Sequence, residues 1–421
     1  MTATVESPAA PAPEGEPRRR SIWARLGHAY IYGSPPVVVA LAFLLALVVG
    51  ALFIALADEP TRSALGYFTQ HPGDTFSRGW KAISGAYSAL FRGAILDRNS
   101  LYSNGGVPVL QPLSDTLVNA TPLILGGLSV GLAFRAGLFN IGGQGQIILG
   151  AICAGYAGFA WHLPSGLHPI VAVLAGALGG ALWGGIAGFL KARTGAHEVI
   201  TTIMLNYIAI YLLLYLLTVH GFQTGVSNQP LSRTVHKSAL LPHLLGSNPA
   251  LRVNAGLFIA IGAAVFCWWL LSRSTLGFTL RAVGANQFAA RTAGMSIAGS
   301  YLIVMLLAGA LCGLAGATQI LGINTTVSNS IDAGIGFDAI TVALLGFASP
   351  GGIVAAGLLF GAFRAGSVQL YSSTTTPQEL VQILQAVIVL FIAAPGLIRM
   401  IFRLREARAG GSRQLAKGWN G

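Results

Sequence analysis

Residues 134–150 read Phe-Arg-Ala-Gly-Leu-Phe-Asn-Ile-Gly-Gly-Gln-Gly-Gln-Ile-Ile-Leu-Gly, and this stretch decides how the chain folds. It opens a long apolar region with no Lys, Arg, Asp or Glu between Arg135 and Lys191. Asn140, Gln144 and Gln146 sit inside it, among glycines. An amide in hydrocarbon needs a hydrogen-bond partner. A glycine-rich helix can unwind at membrane depth only where protein or water meets its freed backbone groups. The segment therefore faces a protein interior or an aqueous path. Two readings stay open: one wall of a conduit, or helix–helix packing by Gly142, Gly143 and Gly145 with Asn140 and Gln144 bonding across helices.

The rest of the chain agrees with a membrane setting. Of 421 residues, 54% are hydrophobic and only 9% charged, too little charge to cover a soluble surface. The 55 glycines suit helices that approach closely with little side-chain volume. The net charge of +12 sits mainly at the ends of apolar runs, so it reads as membrane orientation rather than nucleic-acid binding. Cys153, Cys267 and Cys312 all lie in apolar runs, without metal-ligand or disulfide spacing.

The expected fold is all-α and polytopic, because a helix needs roughly 20 apolar residues to cross. About ten spans follow from hydropathy: 36–57, 113–134, 138–161, 169–190, 199–219, 253–272, 300–322, 337–349, 352–371 and 380–398. The span at 337–349 is short, and reads as a half-helix or as one extending back into 323–336. Arg18–Arg20, Arg25, Arg135, Lys191, Arg193, Arg273, Arg281, Arg291, Arg399 and Arg403 fall on one side. The positive-inside rule makes that side cytoplasmic, with both termini there. The organisation expected is a largely disordered cytoplasmic tail over 1–35, a first transmembrane helix over 36–57, and an extracytoplasmic loop over 58–112. A transport core over 113–398 and a basic cytoplasmic tail over 399–421 follow. Trp80, Tyr87, Leu90, Phe91 and Ile95 among basic residues suit an amphipathic interfacial helix within 58–112.

No phosphate-binding loop, zinc-protease motif or paired cysteine ligands occur. No catalytic residue, metal ligand or cofactor is therefore assigned, and any ATP used must be hydrolysed by another chain. Three further segments carry chemistry. In Ala285–Met295, Asn286 can cap a short helix and Gly294 can end it. So short a helix must dock on something: its own membrane domain, or a partner's groove. In His197–Asn206, Glu198 stands at a helix start, where the dipole favours an anion, and Asn206 lies about two turns in. In Gly336–Gly352, Asp338 enters an apolar run, where a carboxylate costs about 2.5–3.5 kcal/mol at mid-membrane. Arg364 in the next span is a candidate partner, and a structural ion pair and a pathway role are both open.

Taken in order, Phe134–Gly150, His197–Asn206, Arg281–Met295 and Gly336–Gly346 resemble the permeases of bacterial ATP-binding-cassette importers for nucleosides and simple sugars. Branched-chain amino acid permeases form a more distant branch. The likeness covers roughly residues 110–400, and Glu198–Asn206 with Tyr207 is similar to the nucleoside branch. The resemblance implies a multi-pass protein of the bacterial inner membrane, within the lipid bilayer. Its implied partners are cytoplasmic ATPase subunits, a second, non-identical permease and an extracytoplasmic substrate-binding lipoprotein or soluble protein. It makes Asn286, Ala289, Ala290, Arg291 and Gly294 the candidates for coupling to the ATPase. Asn140, Gln144, Gln146, Asn206 and Asp338 become candidates for lining the path, and Phe134, Phe139 and Phe337 could stack a base. The loop Ser349–Gly352 departs from the family in lacking a basic residue.

Nucleosides are the leading substrate class, with ribose-like sugars or branched-chain amino acids as the alternative. A zwitterion would favour a charge pair or helix terminus, and the candidate path is weakly charged. An ion-coupled secondary transporter would need titratable groups at mid-membrane. Only Asp338 and Arg364 qualify, with Glu198 and Asp332 near ends.

Overall fold

A computed structural model describes residues 35–97, 109–225, 230–246, 248, 250–374, 377 and 379–403. All but the last residue of the 1–35 tail, and most of the basic segment 399–421, lie outside the described residues. The named elements are all helical: α1 (Pro35–Ala57), α2 (Glu59–Leu65), α3 (Pro72–Ala94), α4 (Gln111–Arg135), α5 (Gly143–Ala160), α6 (Leu167–Thr194), α7 (Glu198–Leu216), α8 (Gly256–Arg273), α9 (Thr275–Ala285), α10 (Gln287–Thr292), α11 (Ile297–Gln319), α12 (Ile335–Leu345), α13 (Pro350–Ser373), α14 (Glu379–Ala393) and α15 (Pro395–Ile401).

Among the described residues, seven helices are long and apolar enough to cross a membrane: α1, α4, α6, α7, α8, α11 with its continuation to Asn324, and α13. The other three expected spans are the helices α5, α12 and α14, of 18, 11 and 15 residues. The expected span at 337–349 is a half-helix. Its approach from 325–334 is a turn rather than more helix, because Ala333 and Gly334 adopt left-handed backbone.

The core is built around α4, which is buried over most of its length. It packs against α5, α8, α11, α12 and α13. The most extensive helix pair is α6 with α11, and glycine is what lets it form. A Cβ on Gly180 or Gly309 would overlap the other's carbonyl oxygen. Without a hydrophobic force between helices in lipid, this backbone approach and its van der Waals contact supply the attraction.

The N-terminal helices sit at one edge. α3 packs on α13 and α1, burying Ala86, Ala89 and Leu90 while Trp80, Phe91 and Ile95 stay exposed. Tyr87 turns inward and donates to Leu47 O of α1 at 2.5 Å. On the far side, the loop before α8 docks on the end of α11: Ser232 N and Val235 N donate to Val327 O and Thr325 O, both at 2.9 Å.

Candidate translocation path

The opening stretch is not helical until Gly143. α4 ends at Arg135, the chain reverses through Gly137 at φ +75°, and residues 138–142 run as an irregular loop at membrane depth. Such a loop must find internal partners, and the amides provide them. Asn140 and Gln146 face each other: Asn140 Nδ2 donates to Gln146 Oε1 and Gln146 Nε2 donates back to Asn140 Oδ1, both at 2.9 Å. Asn140 Nδ2 also donates to Ser129 Oγ at 3.1 Å, and Asn140 Oδ1 accepts from Gly142 N at 3.2 Å. Asn206 ties in α7, accepting from Gly145 N and donating to Ile141 O, both at 2.9 Å. All three amides are buried.

Gln144 is different. It is half-buried and lies near the Asp332 carboxyl in the turn before α12. α12 starts against the same segment, with Gly336 on the Gln144 backbone. One turn on, Asp338 Oδ2 accepts from Arg364 Nη2 of α13 at 2.7 Å, and that nitrogen also donates to Ala333 O at 2.8 Å. The pair lines a cavity of about 490 Å³ with Phe337, Thr341, Gln382 and Gln385. Phe337 is 53% exposed. Phe134 and Phe139 instead pack edge to face, centroids 5.2 Å apart, and Phe134 lies against Ala339 and Ala343 of α12. Of the expected path residues, the structure therefore brings Phe337 and Asp338 to an open, polar cavity and leaves Gln144 half-buried against the start of α12. It places Asn140, Gln146 and Asn206 in a closed hydrogen-bond network.

At the basic end, Asn286 Oδ1 accepts from Phe288 N at 3.0 Å and Ala289 N at 3.1 Å, capping α10. Gly294 ends it at φ +79°. Ala290 is buried and Tyr301 Oη donates to Gln287 Oε1 at 3.1 Å, which docks α10 on α11. Phe288, Ala289 and Arg291 stay exposed. Glu198 pairs with Lys191 at 2.8 Å, joining α7 to the end of α6.

Two contributors were not singled out from the sequence. Ser129 anchors Asn140, and its signal was a hydroxyl at mid-helix in an otherwise apolar run. Arg135 donates through Nε to Ala348 O at 2.9 Å and through Nη2 to Phe347 O at 3.4 Å. Phe347 and Ala348 hold left-handed backbone at φ 52° and 47°, a conformation that non-glycine residues rarely adopt. Ser349–Gly352 has no basic residue of its own, and Arg135 supplies the cation to this turn.

Residues 113–393 match the family described as branched-chain amino acid transport system / permease component. The chain belongs to this permease family. It is similar to a guanosine ABC transporter permease of Bacillus subtilis (strain 168), 38% identical over 76% of this chain and 88% of the relative. A glucose ABC transporter permease of Haloferax volcanii is 38% identical over 66% of this chain and 75% of its own. A nucleoside ABC transporter permease of Lactococcus lactis subsp. cremoris is 34% identical over 71% and 83%. No solved structure matches the chain. As a permease component of ABC transport, this multi-pass membrane protein has no ATPase site of its own and works with separate ATPase and substrate-binding subunits.

Proposed function

We propose that this permease forms the translocation path of a nucleoside importer, with both termini cytoplasmic. The observation that carries the reading is the similarity to guanosine and nucleoside permeases along three quarters of the chain. The chemistry supports it: the cavity offers the Phe337 ring, the Gln382 and Gln385 amides and the internally paired Asp338 carboxylate. A neutral solute with a planar base and hydroxyls suits that set better than a zwitterion does. Phe134, Asn140, Gln146 and Asn206 shape the path by fixing the loop behind it. Asn286–Gly294 presents its exposed face to the ATPase.

A second, non-identical permease completes the path. B. subtilis also has a second guanosine ABC transporter permease, and L. lactis a second nucleoside ABC transporter permease, each 27% identical to this chain. Such pairs are what a heteromeric path requires.

The test is uptake of labelled guanosine, adenosine, ribose and glucose by a host lacking its own nucleoside importers and carrying the complete transporter. Guanosine or adenosine uptake that depends on this chain is expected. Glucose uptake without nucleoside uptake would overturn the reading in favour of the sugar branch.

A further inference from the structure

The lipid-facing side of this protein has a recognisable composition. α6 exposes Leu167, Ile170, Leu174, Leu178, Leu182, Ile186 and Phe189, an unbroken apolar stripe along the whole helix. α8 exposes Phe258, Ile261, Val265 and Phe266, with Trp268 and Trp269 only near its end at Arg273. That is the ordinary pattern of hydrocarbon contact with an aromatic belt at the interface.

α7 breaks the pattern. It packs only on α5 and α6 to any extent, and Asn206 fixes its rotation through Ile141 and Gly145. Along its open side run Tyr207, Tyr211 and Tyr215, exposed by 55%, 67% and 65%. They are four residues apart, so one face carries all three, with successive rings about 6 Å along the axis. Tyr207 lies about 14 Å from the helix start at 1.5 Å per residue, and Tyr215 about 26 Å. With a hydrocarbon core of about 30 Å, Tyr207 is near the midplane and Tyr211 is well short of the outer interface. None of the three hydroxyls has a hydrogen-bond partner among the described residues. A hydroxyl in hydrocarbon without a partner is strongly disfavoured. Two of these phenols therefore stand where lipid is the wrong neighbour, while the basic-end half of the same face is aliphatic, with Ile200 and Met204 exposed.

We infer that Tyr207, Tyr211 and Tyr215 form a wetted wall along the outer half of the path, their hydroxyls in water and their rings stacking the planar base of the passing solute. This rests on the nucleoside reading. The wall reaches the level where Asn206 holds the α5 entrance, the segment against which Gly336 of α12 packs. An aromatic track of this kind tolerates every base, since each has a π face.

The test uses the complete transporter in intact cells. Tyr207→Cys, Tyr211→Cys and Tyr215→Cys are each treated with a charged, membrane-impermeant thiosulfonate, with Leu178→Cys on α6 as the lipid-facing control and the unsubstituted chain as background. The cysteine thiolate attacks the thiosulfonate sulfur, forming a mixed disulfide and expelling sulfinate, and both the thiolate and the charged reagent need water, so wetted positions react and lipid-facing ones do not. Tyr211→Cys and Tyr215→Cys should react faster than Leu178→Cys, and saturating guanosine should slow them. In uptake, Tyr211→Leu should lose about tenfold, within the range of one base–aromatic stack, while Tyr211→Phe keeps most of the rate. Reactivity no greater than at Leu178→Cys would overturn the inference. So would a spontaneous disulfide to a neighbouring subunit without solute protection, or Tyr211→Phe falling as far as Tyr211→Leu; both mark a subunit interface. Protection by glucose but not guanosine would sink the nucleoside reading and the stacking role while leaving the wall in the path.

Discussion

Asn140→Leu is the most informative single change at the path. The substitution conserves bulk and removes four hydrogen bonds, those to Ser129, Gly142 N and both ends of the Gln146 amide. Side-chain bonds inside membrane proteins average about 0.6 kcal/mol, which sets a floor of about 2–3 kcal/mol. The groups left behind are buried, and each stranded donor or acceptor costs about 1–3 kcal/mol when it finds no new partner. We therefore expect about 3–6 kcal/mol of destabilisation, read from reversible SDS unfolding of the purified protein by tryptophan fluorescence. The asymmetry of hydrogen-bond energetics adds a second check. Gln146→Leu alone should also destabilise, but Asn140→Leu with Gln146→Leu should fall well short of additivity, because each change has already lost the shared pair. A variant as stable as the unmodified chain, or strict additivity, would refute the network. Unchanged stability with abolished uptake would instead place Asn140 in contact with the solute.

Further predictions concern the charge pair, the glycine seam and the coupling contact. Arg364→Met leaves Asp338 without its cation and should destabilise by less than about 2.5–3.5 kcal/mol, the cost of a carboxylate in hydrocarbon, because the pair opens on a polar cavity, with partial rescue by added Asp338→Asn in the same unfolding assay. Gly309→Leu should abolish accumulation of folded protein, because any Cβ there overlaps Gly180 O, whereas Gly262→Leu, with nothing within 4 Å, should accumulate normally; this is checked by size exclusion in detergent. Arg291→Glu on the exposed face of α10 should leave the protein folded in the membrane but separate ATP hydrolysis from uptake in the assembled transporter, and coupled transport at the normal rate would count against a coupling role for α10.

Much of the fold was legible because hydropathy and length are local properties. Each of the ten apolar runs holds a helix, and the caps at Asn286 and Gly294 followed from side-chain chemistry at fixed offsets. The candidate site was less legible, because whether an amide faces a path or a neighbour depends on what stands opposite it. Asn140 and Gln146 satisfy each other across six residues, which the sequence allows but does not demand. The same holds for Asp338 and Arg364: their pairing was one open option, and only packing of α12 on α13 settles it. The tyrosines of α7 were invisible as a group because exposure, not identity, makes them unusual. A tyrosine on a buried face of the same helix would need no explanation.

The candidate coupling segment and the opening stretch are joined by direct backbone packing. α9 runs straight into α10, and Gly284 near the end of α9 lies against the turn that closes α4: a Cβ on it would overlap Arg135 O, and Gly137 in turn approaches Gly284 Cα. That turn has two rigid attachments. Arg135 holds the Phe347–Ala348 turn beyond α12, and three residues after Gly137 the chain enters the Asn140–Gln146 lock, to which Asn206 ties α7. On the proposed coupling role, a load on α10 reaches α11 through Ala290 and Tyr301 and reaches this turn through the backbone at Gly284. From there it has short, hydrogen-bonded routes to the base of α5, to the half-helix bearing Phe337 and Asp338, and to the helix bearing the tyrosines. Because packed helices shift as units rather than deform continuously, a closed amide network at this junction is the arrangement that transmits force, and loosely solvated amides there would absorb it. On the proposed reading, the buried amides hold the frame and the open polar residues meet the solute.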